Sequence, residues 1–164
     1  MVVFIECIVA CVLFTLLVAP SVVKNPLAWY HRYPKAIQAR IASLPQYEGK
    51  IPTQKRNLKK KIISLIIVCL VLTAVCLLTG KTTFPAAFLN MFAVAMSINL
   101  WDLIAMDLLW FCHSKRVRVP GTEDMDKEYR SVGRHFYGFA LGTAIAVGAG
   151  LVVGGLVELV GLLM

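Results

Sequence analysis

The last apolar stretch of the chain, FYGFALGTAIAVGAGLVVGGLVELVGLLM (136–164), decides the fold. Its one charged residue is Glu158, and it is longer than the roughly 20 residues that a helix needs to cross a hydrocarbon core of about 30 Å. A backbone in lipid must satisfy its own hydrogen bonds, and a single segment does so as a helix. The stretch therefore predicts a membrane-spanning helix.

Three more apolar runs precede it, at 2–19, 62–79 and 84–112. The chain of 164 residues is 59% hydrophobic and 16% charged, which is more apolar and less charged than an ordinary soluble domain. These features predict an all-α membrane protein, a bundle of four transmembrane helices in a single domain over 1–164. The predicted helices cover about 2–22, 61–79, 84–112 and 135–163.

Two polar loops, 23–60 and 113–134, join these helices. Between Pro34 and Pro45 the first loop has the pattern of a short helix, with Ile37, Ile41 and Leu44 on one face. We expect this helix to lie on the cytosolic membrane surface, as amphipathic helices do. The alternative is a short helix packed under the bundle.

The distribution of charge predicts the topology. Residues 20–61 carry ten Lys or Arg and one acid, and residues 113–134 carry six Lys or Arg and four acids. The positive-inside rule places both loops in the cytosol, and both termini outside, in a plasma (cytoplasmic) membrane. The net charge of +8 is therefore attributed to topology and to attraction by the anionic lipids of the cytosolic leaflet, not to nucleic acid.

The third predicted helix carries Asn99, Asp102 and Asp107 inside its apolar run. A carboxylate near the bilayer centre costs about 2.5–3.5 kcal/mol on insertion scales. At about 100° per residue, the two aspartates lie about 140° apart on an α-helix and cannot share one small ligand. Asp102 with Asn99 is a candidate proton or cation site, with bonding to a neighbouring helix as the alternative. For Asp107 we expect a pair with an Arg or Lys.

Small residues recur at every fourth position of the fourth predicted helix. These positions are Gly138, Gly142, Ala146, Gly150 and Gly154. Such a ridge predicts close approach of another helix, either from the same chain or from a second copy in a homo-oligomer. The ridge ends at Glu158, which lies at a depth similar to that of Glu6. The two acids are a candidate cation site, with two acids reaching the aqueous interface as the alternative.

The second loop and its borders carry candidate groups for binding an anionic head group or phosphate at the cytosolic face. They are His113, Arg116, Arg118, Arg134 and His135. The alternative is a solvated surface whose charges pair with one another. The sequence contains no metal-binding motif and no nucleotide-binding loop.

The run YRSVGRHFYG (129–138) resembles the Y-R-x-x-R-H-P-x-Y-x-G stretch of isoprenylcysteine carboxyl methyltransferase-like membrane enzymes. That family binds S-adenosylmethionine at its cytosolic face. Here Phe136 stands in place of the proline, and Gly133 is inserted before Arg134. The match covers ten residues and leaves the cofactor of this chain unknown.

A broader resemblance is to small uncharacterised bacterial four-helix integral membrane proteins. It is carried by YPKAIQAR (33–40), LPQY (44–47), Asp102 with Asp107, and VPGTED (119–124). This similarity covers most of the chain. It implies the same kind and architecture of protein, and it supplies no activity.

Three functions are compatible with these features. The first is a bundle that binds or passes a small solute or ion through Asp102 and Asn99. The second is a membrane enzyme acting on a lipid or isoprenoid-like substrate at the cytosolic leaflet, with Asp107, His113, Arg134 and His135 as acid–base and anion-binding groups. The third is an accessory subunit of a membrane complex. The sequence favours the first.

Asp102→Asn tests the first function, because the amide cannot carry the charge or proton of the carboxylate. We expect the variant to lose any ion- or proton-linked transport. A variant that equals the wild type in transport and in stability would rule out an ion site at this position.

Overall fold

The computed structural model describes residues 2–53 and 58–163, and no strand occurs among them. The α-helices are α1 (Val2–Lys24), α2 (Lys35–Ser43), α3 (Leu58–Leu78), α4 (Phe84–Trp101), α5 (Asp126–Tyr129) and α6 (Gly133–Leu163). A π-helix, here called the π segment, continues α4 over Asp102–Phe111. Short 3-10 helices lie at Pro26–Arg32, Pro45–Tyr47 and Lys115–Val117. Part of the first predicted loop, residues 54–57, lies outside the described residues.

Three stretches are long and apolar enough to cross a membrane: Val2–Lys24, Phe84–Phe111 and Asp126–Leu163. The predicted all-helical class is therefore confirmed among the described residues, and the length and composition of these helices support a membrane protein. The remaining predicted span corresponds to the shorter apolar helix Ile62–Leu78. Helix α1 also continues through Pro20 to Lys24, two residues beyond the predicted end.

The chain divides into two compact units. The first, here called the membrane unit, contains residues 1–10, 56–99 and 140–164. Its core consists of small and medium-sized apolar side chains from α3, α4 and α6. They are Cys69, Cys76, Ala87, Met91, Ala149, Val153 and Val157. All seven are buried, so these three helices pack on one another without water.

Small residues on α6 allow α4 to approach closely within the membrane unit. The rings of Phe84 and Phe88 stack with centroids 6.2 Å apart. A Cβ built on Gly154 would lie 3.0 Å from the Phe84 ring, and one built on Gly150 would lie 3.0 Å from the Phe88 ring. A Cβ on Gly142 would overlap the Asn99 side chain. Three glycines of the predicted ridge therefore pack within the chain.

The fourth glycine of the ridge, Gly138, belongs to the other unit, and a Cβ there would meet no atom within 4 Å. Homo-oligomer formation through the ridge stays a prediction. On α3, Ile63, Ile67 and Val71 are each more than half exposed. An apolar surface of this kind is unfavourable in water and suits a lipid environment.

The second unit, here called the loop unit, contains residues 11–55 and 100–139. Ile37 and Ile41 of α2 are fully buried, and they share a core with Tyr33, Val119 and Tyr129. The predicted short helix exists, but the expectation that its apolar face lies on the membrane is wrong, because Ile37 and Ile41 are covered by residues of the second predicted loop. Neither the membrane surface nor the underside of the bundle provides this cover.

Two tyrosine hydroxyls join the segments of the loop unit. Tyr33 donates to the carbonyls of Pro26 and Val117, each at 3.2 Å. The Tyr129 hydroxyl accepts from the Val119 N–H at 3.1 Å and pairs with the Thr122 hydroxyl at 2.8 Å. Buried polar groups are costly unless they are paired, so the Tyr33 bond to Val117 holds the two loops together and the Tyr129 bonds order the second loop.

Gly154→Leu tests the close approach of α4 to α6. The added side chain would overlap Phe84, and we expect a loss of about 1–3 kcal/mol in unfolding free energy. Gly155→Leu is the matched control, because a Cβ at Gly155 meets no atom within 4 Å. The unfolding free energies of both variants are measured in mixed detergent micelles. Equal stability of the two variants would contradict the contact.

Tyr33→Phe tests the hydroxyl bonds of the loop unit. Burial and the nearby Tyr129 raise the pKa of Tyr33 above its ordinary value of about 10. The neutral phenol therefore stabilises the folded state below pH ~10, and this contribution is lost as the pH rises further.

We expect Tyr33→Phe to lower stability near neutral pH by about 1–3 kcal/mol, because the Val117 carbonyl loses a partner. The variant should also lose less stability than the wild type between pH ~9 and ~11 in thermal unfolding scans. Tyr137→Phe is the control, since the Tyr137 side chain is exposed. An identical pH dependence in wild type and Tyr33→Phe would refute the assignment.

Candidate functional site

The π segment changes the angular spacing of two carboxylates, Asp102 and Asp107. In a π-helix the N–H of residue i+5 bonds to the carbonyl of residue i, and the turn is wider than in an α-helix. The Cys112 N–H donates to the Asp107 carbonyl at 3.0 Å, which is a bond of this type. Asp102 and Asp107, five residues apart, are therefore close to one turn apart, and the predicted angular separation of about 140° is wrong.

A carboxylate, an imidazole and a thiol form a chain of contacts in the loop unit. Asp107 Oδ2 lies 2.8 Å from His135 Nδ1. His135 Nε2 lies 3.8 Å from Cys112 Sγ. An ionised Asp107 only accepts hydrogen bonds, so Nδ1 carries the proton and the Nε2 of a neutral imidazole accepts from the thiol. The π segment supplies Asp107, and the first turn of α6 supplies His135.

The surroundings of this chain of contacts are apolar and positively charged. The Phe111 ring meets the His135 ring edge-on, with centroids 5.7 Å apart. Cys112 is 2% exposed. A buried cysteine in such surroundings is a neutral thiol, which needs a base before it can act as a nucleophile.

Arg118 lies against the site and is itself almost fully buried. Its guanidinium donates to the carbonyls of Phe111 and Cys112, and Nη2 pairs with Asp126 Oδ1 at 3.1 Å. The central carbon of the guanidinium also lies 3.9 Å from the centroid of the Tyr129 ring, over its face. Its Nε is buried and has no hydrogen-bond partner among the described residues. The predicted anion-binding Arg118 thus holds the backbone beside the thiol.

The other predicted groups near the loops have individual partners. Arg134 donates to the His31 carbonyl at 2.7 Å. The His113 ring contacts the Leu108 carbonyl at 2.9 Å. Arg116 is exposed. Of the predicted acid–base groups, the structure joins Asp107 with His135, and the partner of Asp107 is this histidine in place of the Arg or Lys expected from the sequence.

Asp102 and Asn99 fall in different units. Asp102, in the π segment, interacts electrostatically with Asp107, Arg32 and His135. In the membrane unit, Asn99 Nδ2 donates to Thr143 Oγ1 at 3.2 Å.

The two acids expected to form an outer cation site have separate partners in the membrane unit. Glu6 forms an ion pair with Lys81 at 3.0 Å. Glu158 accepts from the Phe84 N–H at 2.9 Å, at the first residue of α4. A carboxylate at this position satisfies a backbone donor that the helix itself leaves unpaired. Both acids therefore have structural roles.

Cys112 is the site residue that the sequence analysis missed. It lies at the end of the apolar run 84–112, and nothing in the spacing of Cys112 and His135 marks them as a pair. The chain matches no protein-family model, no curated protein and no solved structure. Chemically, a carboxylate that orients an imidazole toward a thiol is an arrangement for general-base and nucleophilic catalysis.

Proposed function

We propose that the chain is a membrane-embedded enzyme that acts on a lipid or isoprenoid-like substrate at the cytosolic leaflet. The observation that carries this proposal is the contact of His135 with Asp107 through one ring nitrogen and with Cys112 through the other. A histidine held in this way has a fixed tautomer and a free lone pair directed at the group that it deprotonates.

The proposed topology has four spans, with both termini outside and the loop unit in the cytosol. It is supported by the Lys and Arg residues of segments 20–61 and 113–134. Helix α3 is added to the three longer stretches as the remaining span, because its 21 residues give a helix about 31 Å long. On this topology the three site residues lie at the cytosolic ends of the helices that carry them.

The proposed substrate class follows from this position. Asp107 lies in the apolar stretch Phe84–Phe111, Cys112 follows it directly, and His135 lies in the stretch Asp126–Leu163, so this position favours a substrate held in the membrane. Lys115 and Arg116 follow the π segment closely and are exposed. They favour a substrate or a surrounding leaflet with anionic head groups.

A second candidate function is the binding of a proton or small cation by Asp102. It is favoured by the position of Asp102 in the π segment, where a second carboxylate, an imidazole and a guanidinium interact with it. Carboxylates in such surroundings serve as proton or ion sites in many membrane proteins. The Asp102→Asn transport experiment separates this candidate from the enzyme, which does not require transport.

The enzyme proposal is tested with the full chain in nanodiscs of bacterial polar lipids supplemented with a polyprenyl phosphate. Lipid composition is followed over time by mass spectrometry. We expect the wild type to convert one lipid class, and His135→Gln to slow the conversion by at least about 100-fold, the usual contribution of a general base.

His31→Gln is the matched control, because the His31 ring contacts the Pro52 carbonyl at 2.7 Å and takes no part in the site. We expect it to convert lipid at the rate of the wild type. No conversion by the wild type, or equal rates for the wild type and His135→Gln, would refute the proposal.

A further inference from the structure

We infer that Cys112 is a covalent nucleophile that accepts an acyl group as a thioester, and that the chain is an acyl-transfer enzyme. This inference rests on the proposed function and names its chemical step. Three independent features of the loop unit support it: the contact of the thiol with His135, the guanidinium beside the thiol, and the apolar burial of the thiol.

The first feature supplies the base. Cys112 Sγ and Asp107 Oδ2 contact opposite nitrogens of the same imidazole, at 3.8 Å and 2.8 Å. The sulfur contact is long for a hydrogen bond. Nucleophile–base contacts are commonly long before substrate binds and shorten in the reacting complex.

The second feature is a guanidinium held at the backbone of the nucleophile. Attack on a carbonyl carbon produces an oxyanion, and preorganised donors that face it give the largest single contribution in many enzymes of this kind. Arg118 Nη2 donates to the Cys112 carbonyl oxygen at 3.0 Å and also pairs with Asp126 Oδ1. Its buried Nε–H has no partner among residues 2–53 and 58–163, which leaves a donor unused.

The third feature selects an acyl chain and protects the product. The thiol is buried beside Phe111 and at the end of an apolar stretch suited to a membrane. A fatty acyl chain partitions into such surroundings, at about 0.8 kcal/mol per buried methylene group. Exclusion of water also slows hydrolysis of a thioester before the acceptor arrives.

The acyl transfer proceeds in two steps, formation of the Cys112 thioester and its transfer to an acceptor. His135 Nε2 takes the thiol proton while Sγ bonds to the carbonyl carbon of the donor, which is an acyl thioester or a phospholipid acyl ester. The tetrahedral intermediate collapses, the bond to the leaving sulfur or oxygen breaks, and the leaving group takes the proton from Nε2. An acceptor hydroxyl or water then attacks the Cys112 thioester, and its proton passes through Nε2 to the released sulfur. No electrons are exchanged with another group.

The experiment uses the full chain in two kinds of nanodisc and measures intact mass. Discs of ether-linked phospholipids contain no acyl ester, so palmitoyl-coenzyme A added to them is the donor. Discs of ester-linked phospholipids without added thioester test the lipid itself as donor. We expect one acyl group on the wild type in one of these arms, and we expect hydroxylamine to remove it.

Variants locate the acyl group. Cys112→Ser should carry no hydroxylamine-sensitive acyl group, and His135→Gln should acquire it at least about 100-fold more slowly. Cys76→Ala is the matched control, because Cys76 is also buried but contacts the Asn90 amide. It should be acylated like the wild type. Thermal unfolding of each variant in the same discs shows whether the fold is retained.

Two results would overturn the inference: no acyl group on the wild type in either arm, or a hydroxylamine-sensitive acyl group that remains on folded Cys112→Ser. The lipid-conversion assay then separates the two proposals. Conversion by Cys112→Ser that still depends on His135 would leave the proposed enzyme standing without a covalent thioester. Absence of both lipid conversion and acylation in the wild type would remove both.

Discussion

The packing of α4 against α6 is the constraint on which the membrane unit depends. An apolar side chain gains little free energy when it moves from contact with lipid to contact with another helix. Helices in lipid therefore associate through van der Waals contact and close backbone approach. Gly150 and Gly154 make room for the rings of Phe88 and Phe84, and the Glu158 carboxylate binds the first N–H of α4. The π segment that follows α4 supplies Asp107, and the first turn of α6 supplies His135.

Much of the fold is predictable from the sequence because the membrane imposes a simple rule. Long apolar runs become helices, and three of the four predicted spans meet the requirements of length and composition. The small-residue ridge predicted a close helix contact, and Phe84 and Phe88 make that contact. The packing of the loops could not be predicted in the same way. The core of Ile37, Val119 and Tyr129 joins segments more than 75 positions apart, and periodicity within one helix does not identify the surface that covers it.

The candidate site was predictable only in part. Asp107 and His135 were recognised because charged and ionisable groups are unusual near apolar runs, yet Arg or Lys was the expected partner of Asp107. Cys112 carried no signal, since cysteine in a membrane helix is usually a small packing residue. Its role depends on the contact with a ring 23 positions away. The π segment has no sequence signature either, and it is the feature that invalidates angles computed for an ideal α-helix.

The π segment also makes the site sensitive to chain length. Residues 102–111 occupy wider turns than an α-helix would, so loss of one residue there allows the segment to rewind as an ordinary helix. Rewinding would turn Asp107 and Cys112 around the helix axis while His135, on a separate helix, stays in place. Exchange of one apolar side chain for another keeps the number of residues in this segment, whereas a deletion or insertion changes it. The number of residues between Trp101 and Cys112 is as much a part of the site as the groups that react.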